Sequence, residues 1–313
     1  MDISKDFIFK GLPEIPTPHA LQPNPLGHLH LLPGIWKGHG FNQIWRPFHP
    51  TVPPDPPSQD RFLELNLTDE TLEFTRIPGA IPNRGLRQPD INLFGVHYLQ
   101  QVTDKNLGAG IHVEPGIWIN VGATTNPAEA ATVVRMASIP HGTTIEAQGD
   151  SSVFPTKPVI TPVSITPFLI GNPAIQIPFP ESNLATATTF RSPPPQLVGI
   201  TQGMVDNPNS VLTAAIQHQH IIETTVLRIS TKVGVVPVPN TGGGTANIAF
   251  LTGVPSPQNA NALAAEMDAT FWIETVKETS GKTFHQLQYT QTVLLNFNGL
   301  SWPHVSVATL RKH

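Results

Sequence analysis

Short apolar runs rich in Val, Ile, Thr and Phe recur along this chain, separated by Pro and Gly so often that long helices are excluded. The period-2 character of these runs predicts strands over Phe62 to Leu67 and Thr71 to Ile77, joined by a turn at Thr68-Asp69-Glu70. Further strands are predicted over Leu93 to Thr103, Ile111 to Val121, Thr132 to Ile139 and Thr143 to Gln148. The second half adds His220 to Thr231, Thr245 to Leu251, Thr270 to Glu278, Phe284 to Phe297 and Val305 to Arg311. One short helix is expected over Asn259 to Met267, where Ala and Leu dominate.

Proline-rich stretches at Pro47 to Pro57, Pro155 to Pro180 and Ser192 to Pro195 cannot be central strands, because proline lacks the amide that a ladder needs. They read as connections or rim loops. The pattern Pro33-Gly34-Ile35-Trp36 returns as Pro115-Gly116-Ile117-Trp118, an echo that reads either as duplication or, since the flanking residues do not repeat, as another tight barrel corner. The Gly-rich run Thr241 to Thr245 reads as a flexible hairpin tip.

Two segments, one near each end, carry the fold expectation. Gly34-Ile35-Trp36-Lys37-Gly38-His39-Gly40 suits the first strand of a closed barrel, where glycines allow close backbone approach and a tryptophan plugs the end. Trp302 to Lys312 reads as the last strand, and Arg311 is expected to stack over Trp36 when the two meet. The expectation is therefore an all-β, antiparallel closed barrel, one enlarged domain over residues 1–313 with a Pro-rich insertion at approximately 150–200. Two domains divided at that insertion is the competing arrangement.

Composition narrows the chemistry. Charged residues are only 13% of the 313, and hydrophobic residues at 39% suffice for a large core. A net charge of -4 without a basic cluster argues against nucleic acid. No cysteine is present, which excludes disulfides, thiolate metal sites and a thiolate-ligated haem. No apolar stretch approaches a membrane span and residues 1–10 lack a secretory core, so a cytoplasmic protein is expected. A G-x-S-x-G elbow, a phosphate loop and H-E-x-x-H are all missing.

The two terminal segments resemble the nitrobindin-type haem-binding barrels, relatives of the fatty-acid-binding and lipocalin folds, which pair a G-x-W-x-G-x-G start with a histidine shortly before a basic end. The resemblance covers about 20 residues from Gly34 and the last dozen. It implies a b-type haem on His304, with Trp36 and Arg135 at the cofactor and the porphyrin packed on Val293, Leu295 and Phe297. His304 stands one residue further from Thr309-Leu310-Arg311 than that family's spacing, so a β-bulge is expected to return it to the inner face.

Other histidines are weighed singly. His141, in a Pro-His-Gly turn, could act on the distal side of a bound ligand, though a turn histidine bonded to a carbonyl is the plainer account. His112 and Glu114 alternate onto one strand face; inside a barrel they would form an acid and base pair, and outside, the favoured account, a solvated one. Arg135 could pair with Glu114 or meet a haem propionate. His218 with His220, and His28 with His30, have metal-ligand spacing without a third ligand; the latter two are expected at the barrel mouth. The function expected is a haem-binding barrel with peroxidase-like or nitric-oxide chemistry, with a haem-free barrel binding a lipophilic molecule as the alternative. A small-molecule partner is implied, and the proline-rich insertion could serve as a homodimer arm.

Overall fold

The computed structural model describes residues 24–48, 61–234, 240–252 and 261–313. Ten antiparallel strands close into a barrel: β1 (Gly34–Pro47), β2 (Arg61–Arg76), β3 (Ile91–Asp104), β4 (Gly110–Val121), β5 (Thr132–Ile139), β6 (Thr143–Phe154), β7 (His220–Ser230), β8 (Leu263–Lys277), β9 (Thr283–Phe297) and β10 (Leu300–Lys312). Each pairs with its sequence neighbour, and β1 pairs β10 from Trp36↔Lys312 to Ile44↔His304. That pairing removes both free edges. The close approach explains two glycines: a Cβ on Gly38 would stand 2.1 Å from the Thr309 carbonyl oxygen, and one on Gly40 would stand 2.3 Å from that of Val307.

Period-2 alternation sends one side of each strand into the barrel. Trp36, Leu72, Phe74, Tyr98, Trp118, Phe271, Leu287 and Leu310 meet there in one buried cluster. A 3-10 turn at Gly27–Leu31 seals this end with Leu26, Leu29 and Leu32, and the Trp36 indole donates to the Leu32 carbonyl at 2.7 Å. Burial of a side chain of this size contributes about 2 to 3 kcal/mol. The echoed Trp118 lies in the same cluster, edge-on to Phe271.

The outward side of β1, β2 and β10 is also apolar, because the segment between β6 and β7 folds back over it. Helices α1 (Gln202–Asp206) and α2 (Asn209–Ile216), with Ile165 and Ile200, cover Phe41, Trp45, Leu63, Leu65, Val305 and Val307. Backbone carbonyls of the covering segment take the polar groups beneath it: Trp45 donates to Ile165 at 2.9 Å and Gln43 to Met204 at 3.1 Å. In Phe41 to Trp45 and Val305 to Val307 the outward residues Phe41, Trp45, Val305 and Val307 are apolar because they are covered, while Asn42 and Ser306 on the opposite parity face the cavity.

Four expectations change. The Thr68-Asp69-Glu70 turn is the middle of one continuous strand, β2, whose Thr68 and Glu70 are buried. The expected helix over Asn259 to Met267 is strand from Leu263 onward, because pairing with β9 outweighs the helix propensity of Ala and Leu; its first two positions, 259–260, lie outside the described residues. Gly242–Asn247 forms a strand on β6 rather than a hairpin tip, and Ala249–Thr252 is a short helix, which truncates the strand expected over Thr245 to Leu251. The predicted proline-rich stretch at Pro47 to Pro57 falls largely outside the described residues. No helix among the described residues is long and apolar enough to cross a membrane.

Candidate functional site

Toward the other end of the barrel the packed core gives way to a cavity of about 360 Å³. That volume falls within the range of small-molecule pockets. Val102, Ile111, Ile139, Val293 and Leu295 supply apolar wall, and His304, His112 and His141 all face it, as do Glu70, Tyr289, Gln291 and Asn42.

His304 reaches the cavity without a bulge, since the β10 register runs unbroken against both β1 and β9. The extra residue is accommodated by the cation instead. Alternation from Lys312 through Leu310, Ala308 and Ser306 brings His304 inward, and it is Lys312 Nζ, 5.2 Å from the ring centroid, that sits over Trp36. Arg311 turns outward onto Phe284 at 3.9 Å. The expected Arg311 to Trp36 stacking is thus replaced by its neighbour, because Arg311 has the opposite parity.

The imidazole of His304 is held by its Nε2, 2.7 Å from Asn42 Oδ1. Ser306 Oγ donates to the same oxygen at 2.9 Å. Burial, reinforced by the nearby His112 and His141, pushes the His304 pKa down to about 3, so the ring is neutral at pH 7. Burial likewise lowers His141, which lies at the exposed rim with its ring centroid 6.0 Å from that of His112.

His112 and Glu114 face inward, against the solvated arrangement favoured from sequence. Glu114 is fully buried, with Arg135 Nη2 at 2.5 Å, His112 Nε2 at 3.3 Å and the Tyr98 hydroxyl donating to Oε1. Burial alone would raise its pKa; the Arg135 guanidinium, with the His112 and Tyr98 bonds, overrides this and holds Glu114 at about 2. Arg135 therefore pairs with Glu114 rather than reaching into the open cavity. Its Nη1 also donates to Gln291 Oε1 at 2.5 Å, which turns the Gln291 amide nitrogen away from that contact.

Several site residues escaped the sequence reading. Glu70 accepts from the Tyr289 hydroxyl at 2.7 Å, from Thr68 at 2.9 Å and from Gln100 at 3.2 Å, yet burial outweighs these donors and raises its pKa. Asn42, Asn66 and Gln291 were likewise unmarked. A signal existed: Asn42 shares strand parity with Trp36, Glu70 with Leu72, and Gln291 with Val293.

Phe297 does not line the cavity. It stacks on Trp302 at 4.7 Å within the outer cluster. His28 and His30 belong to the turn that seals the closed end, where His28 bonds Ser151 and His30 the Gly27 carbonyl, so they are not at the mouth. His218 and His220 are exposed. Among the described residues no group of three or more His, Asp or Glu side chains is arranged to hold a metal ion.

A haem would require a histidine nitrogen with a free lone pair facing the porphyrin. The distal nitrogen of His304 instead lies against the Asn42 carbonyl oxygen at 2.7 Å, so the residues as arranged do not offer the iron a ligand through Nε2.

No family model matches the sequence, and a search of curated proteins finds no match. Among solved structures the chain is similar to that of Rv2717c from M. tuberculosis, at 13% identity and a TM-score of 0.39, covering 93% of this chain and 99% of that one.

Proposed function

We propose that this barrel binds an uncharged, largely apolar small molecule, without haem, in the cavity beside His304. The observation that carries this reading is that the cations at the cavity are already neutralised. Arg46, on the wall, pairs with Glu64 at 2.8 Å, and Arg135, behind it, with Glu114 at 2.5 Å. A carboxylate or phosphate ligand would find no free Lys or Arg there among the described residues and would meet the buried Glu70. A neutral ligand gains the apolar wall and the free polar groups of His304, Gln291 and His141.

Binding is favoured over peroxidase-like or isomerase-like catalysis by His112, Glu114 and His141. A carboxylate held at about 2 is a weak base at neutral pH, far from the matched value that proton transfer needs. Titration with 1-decanol and with decanoate tests the reading. Decanol should bind and decanoate at least about tenfold more weakly, which is about 1.4 kcal/mol; equal or tighter binding of decanoate would overturn it.

A second reading has one observation in its favour. A b-type haem on His304 would have to use Nδ1, the nitrogen that Asn42 leaves free, on a neutral imidazole beside Val293 and Leu295, and would admit nitric oxide or another small ligand. Addition of haemin separates the two: a Soret band that disappears in His304→Ala selects haem, while a spectrum unchanged by that substitution selects the haem-free barrel.

A further inference from the structure

A chain of side chains along the cavity wall leads to His304 and begins at a carboxylate behind it. Asp104 is buried at the end of β3, and although burial opposes ionisation, donors from Asn66, Leu107, Gln196 and Asn106 hold its pKa below the usual range. An ionised carboxylate only accepts, so Asn66 must present its amide nitrogen to Asp104 Oδ2, at 2.7 Å. This fixes Asn66 Oδ1 as an acceptor toward Asn42, whose Nδ2 donates to it at 3.2 Å. Asn42 then has only Oδ1 to offer His304. At 2.7 Å that oxygen requires a proton on Nε2, since a lone pair there would be repelled. The alternative, Ser306 donating to Nε2, spans 3.4 Å against 2.9 Å for its bond to Asn42, and loses on distance.

A neutral ring protonated on Nε2 carries its lone pair on Nδ1. That nitrogen has no partner among the described residues, and it is not among the buried unpartnered atoms, so it remains reachable from the cavity that His304 lines. We propose that the Asp104–Asn66–Asn42 relay fixes the tautomer of His304 and makes Nδ1 a permanent hydrogen-bond acceptor, so that the cavity takes ligands carrying a hydroxyl or N–H donor. This rests on the small-ligand reading above and names its ligand class: phenols, alcohols or amides in preference to ethers and hydrocarbons. Asp104, Asn66 and Asn42 are positioning residues in this account.

The test has two arms on the full chain. Long-range proton–nitrogen NMR of the ¹⁵N-labelled protein at neutral pH, with His304→Gln to identify the signals, should show pyrrole-like Nε2 and pyridine-like Nδ1. Asn42→Leu and Asn66→Leu should each convert this to a mixture of tautomers. Asp104→Asn provides a second perturbation if either leucine variant fails to fold. In the second arm p-cresol is compared with 4-methylanisole, the same molecule without the donor. The phenol should bind at least about tenfold more tightly and shift the Nδ1 resonance, a preference lost in Asn66→Leu. A protonated Nδ1 in the unmodified protein, or a tautomer unmoved by the variants, overturns the relay. Equal binding of phenol and ether overturns the acceptor role while leaving the cavity reading intact. If the tautomer is as stated and neither probe binds, the relay stands and the ligand class falls together with the small-ligand reading.

Discussion

Replacing Glu114 by Gln tests the buried charge beside the cavity. In Glu114→Gln the Arg135 guanidinium keeps the Tyr98 hydroxyl at 2.8 Å and Gln291 Oε1 at 2.5 Å, but loses the charge that compensates it. Removing one partner of a buried pair costs about 3 to 5 kcal/mol. The carboxylate's own titration gives a second figure. Its pKa falls from the ordinary 4.5 to about 2 on folding. At about 1.4 kcal/mol per unit this contributes about 3 kcal/mol. The sign follows from the depression: the contribution is fully present above pH 4.5 and is lost as pH falls through about 2.

Urea unfolding of the unmodified protein and Glu114→Gln, at pH values from 7 down to 2, reads both effects. The variant should be less stable by about 3 kcal/mol at pH 7, with the gap closing below pH 4.5 as the wild-type carboxyl takes up its proton. The double variant Glu114→Leu with Arg135→Met should be less destabilised than Glu114→Gln alone, because it leaves no orphaned charge. A single variant within about 1 kcal/mol of wild type at pH 7, or one that keeps the full acid-induced loss, would refute the argument.

Three further expectations concern other parts of the barrel. Gly38→Ala should cost at least about 1 to 3 kcal/mol in chemical unfolding, because its methyl would meet the Thr309 carbonyl at the β1–β10 seam, whereas Gly110→Ala, with open space at its Cβ, should be near neutral. Lys312→Met removes the cation over Trp36 and the bond from Nζ to the Leu31 carbonyl, and should lower stability by about 1 kcal/mol, with little change in Lys37→Met on the exposed face of β1. Glu274 is fully buried on β8, and burial raises its pKa from 4.5 to about 7 against the bond from Gln286. Its carboxyl therefore favours folding below pH 4.5, and this contribution is lost as pH rises through about 7. Glu274→Gln should abolish that loss and be the more stable form at pH 8, by up to about 3 kcal/mol in thermal or urea unfolding.

What the sequence determined by itself was the strand inventory and the closure. Alternation and the Pro and Gly punctuation mark strands locally, since backbone and face preference need no distant partner. The glycines of β1 and the apolar run of β10 identify a seam where two backbones approach. The cavity histidines 304, 112 and 141 were also legible as candidates, through their places on strands or in a Pro-Gly turn.

Tertiary structure decided which face each strand turned inward. Parity is relative until one residue is anchored; Lys312 over Trp36, rather than Arg311, sets it for the whole of β10 and brings His304 inward with no bulge. Partnership across 21 to 262 positions decided the rest. Glu114 became a fixed anion only because β5 brought Arg135 beside it. The Asp104, Asn66, Asn42 and His304 line joins four strands that no local pattern connects. Helix propensity at Leu263 to Met267 gave way for the same reason: ladder pairing with β9, continuous except for a bulge between Ala264 and Glu266, satisfies most of the backbone there, and that sum exceeds a local preference.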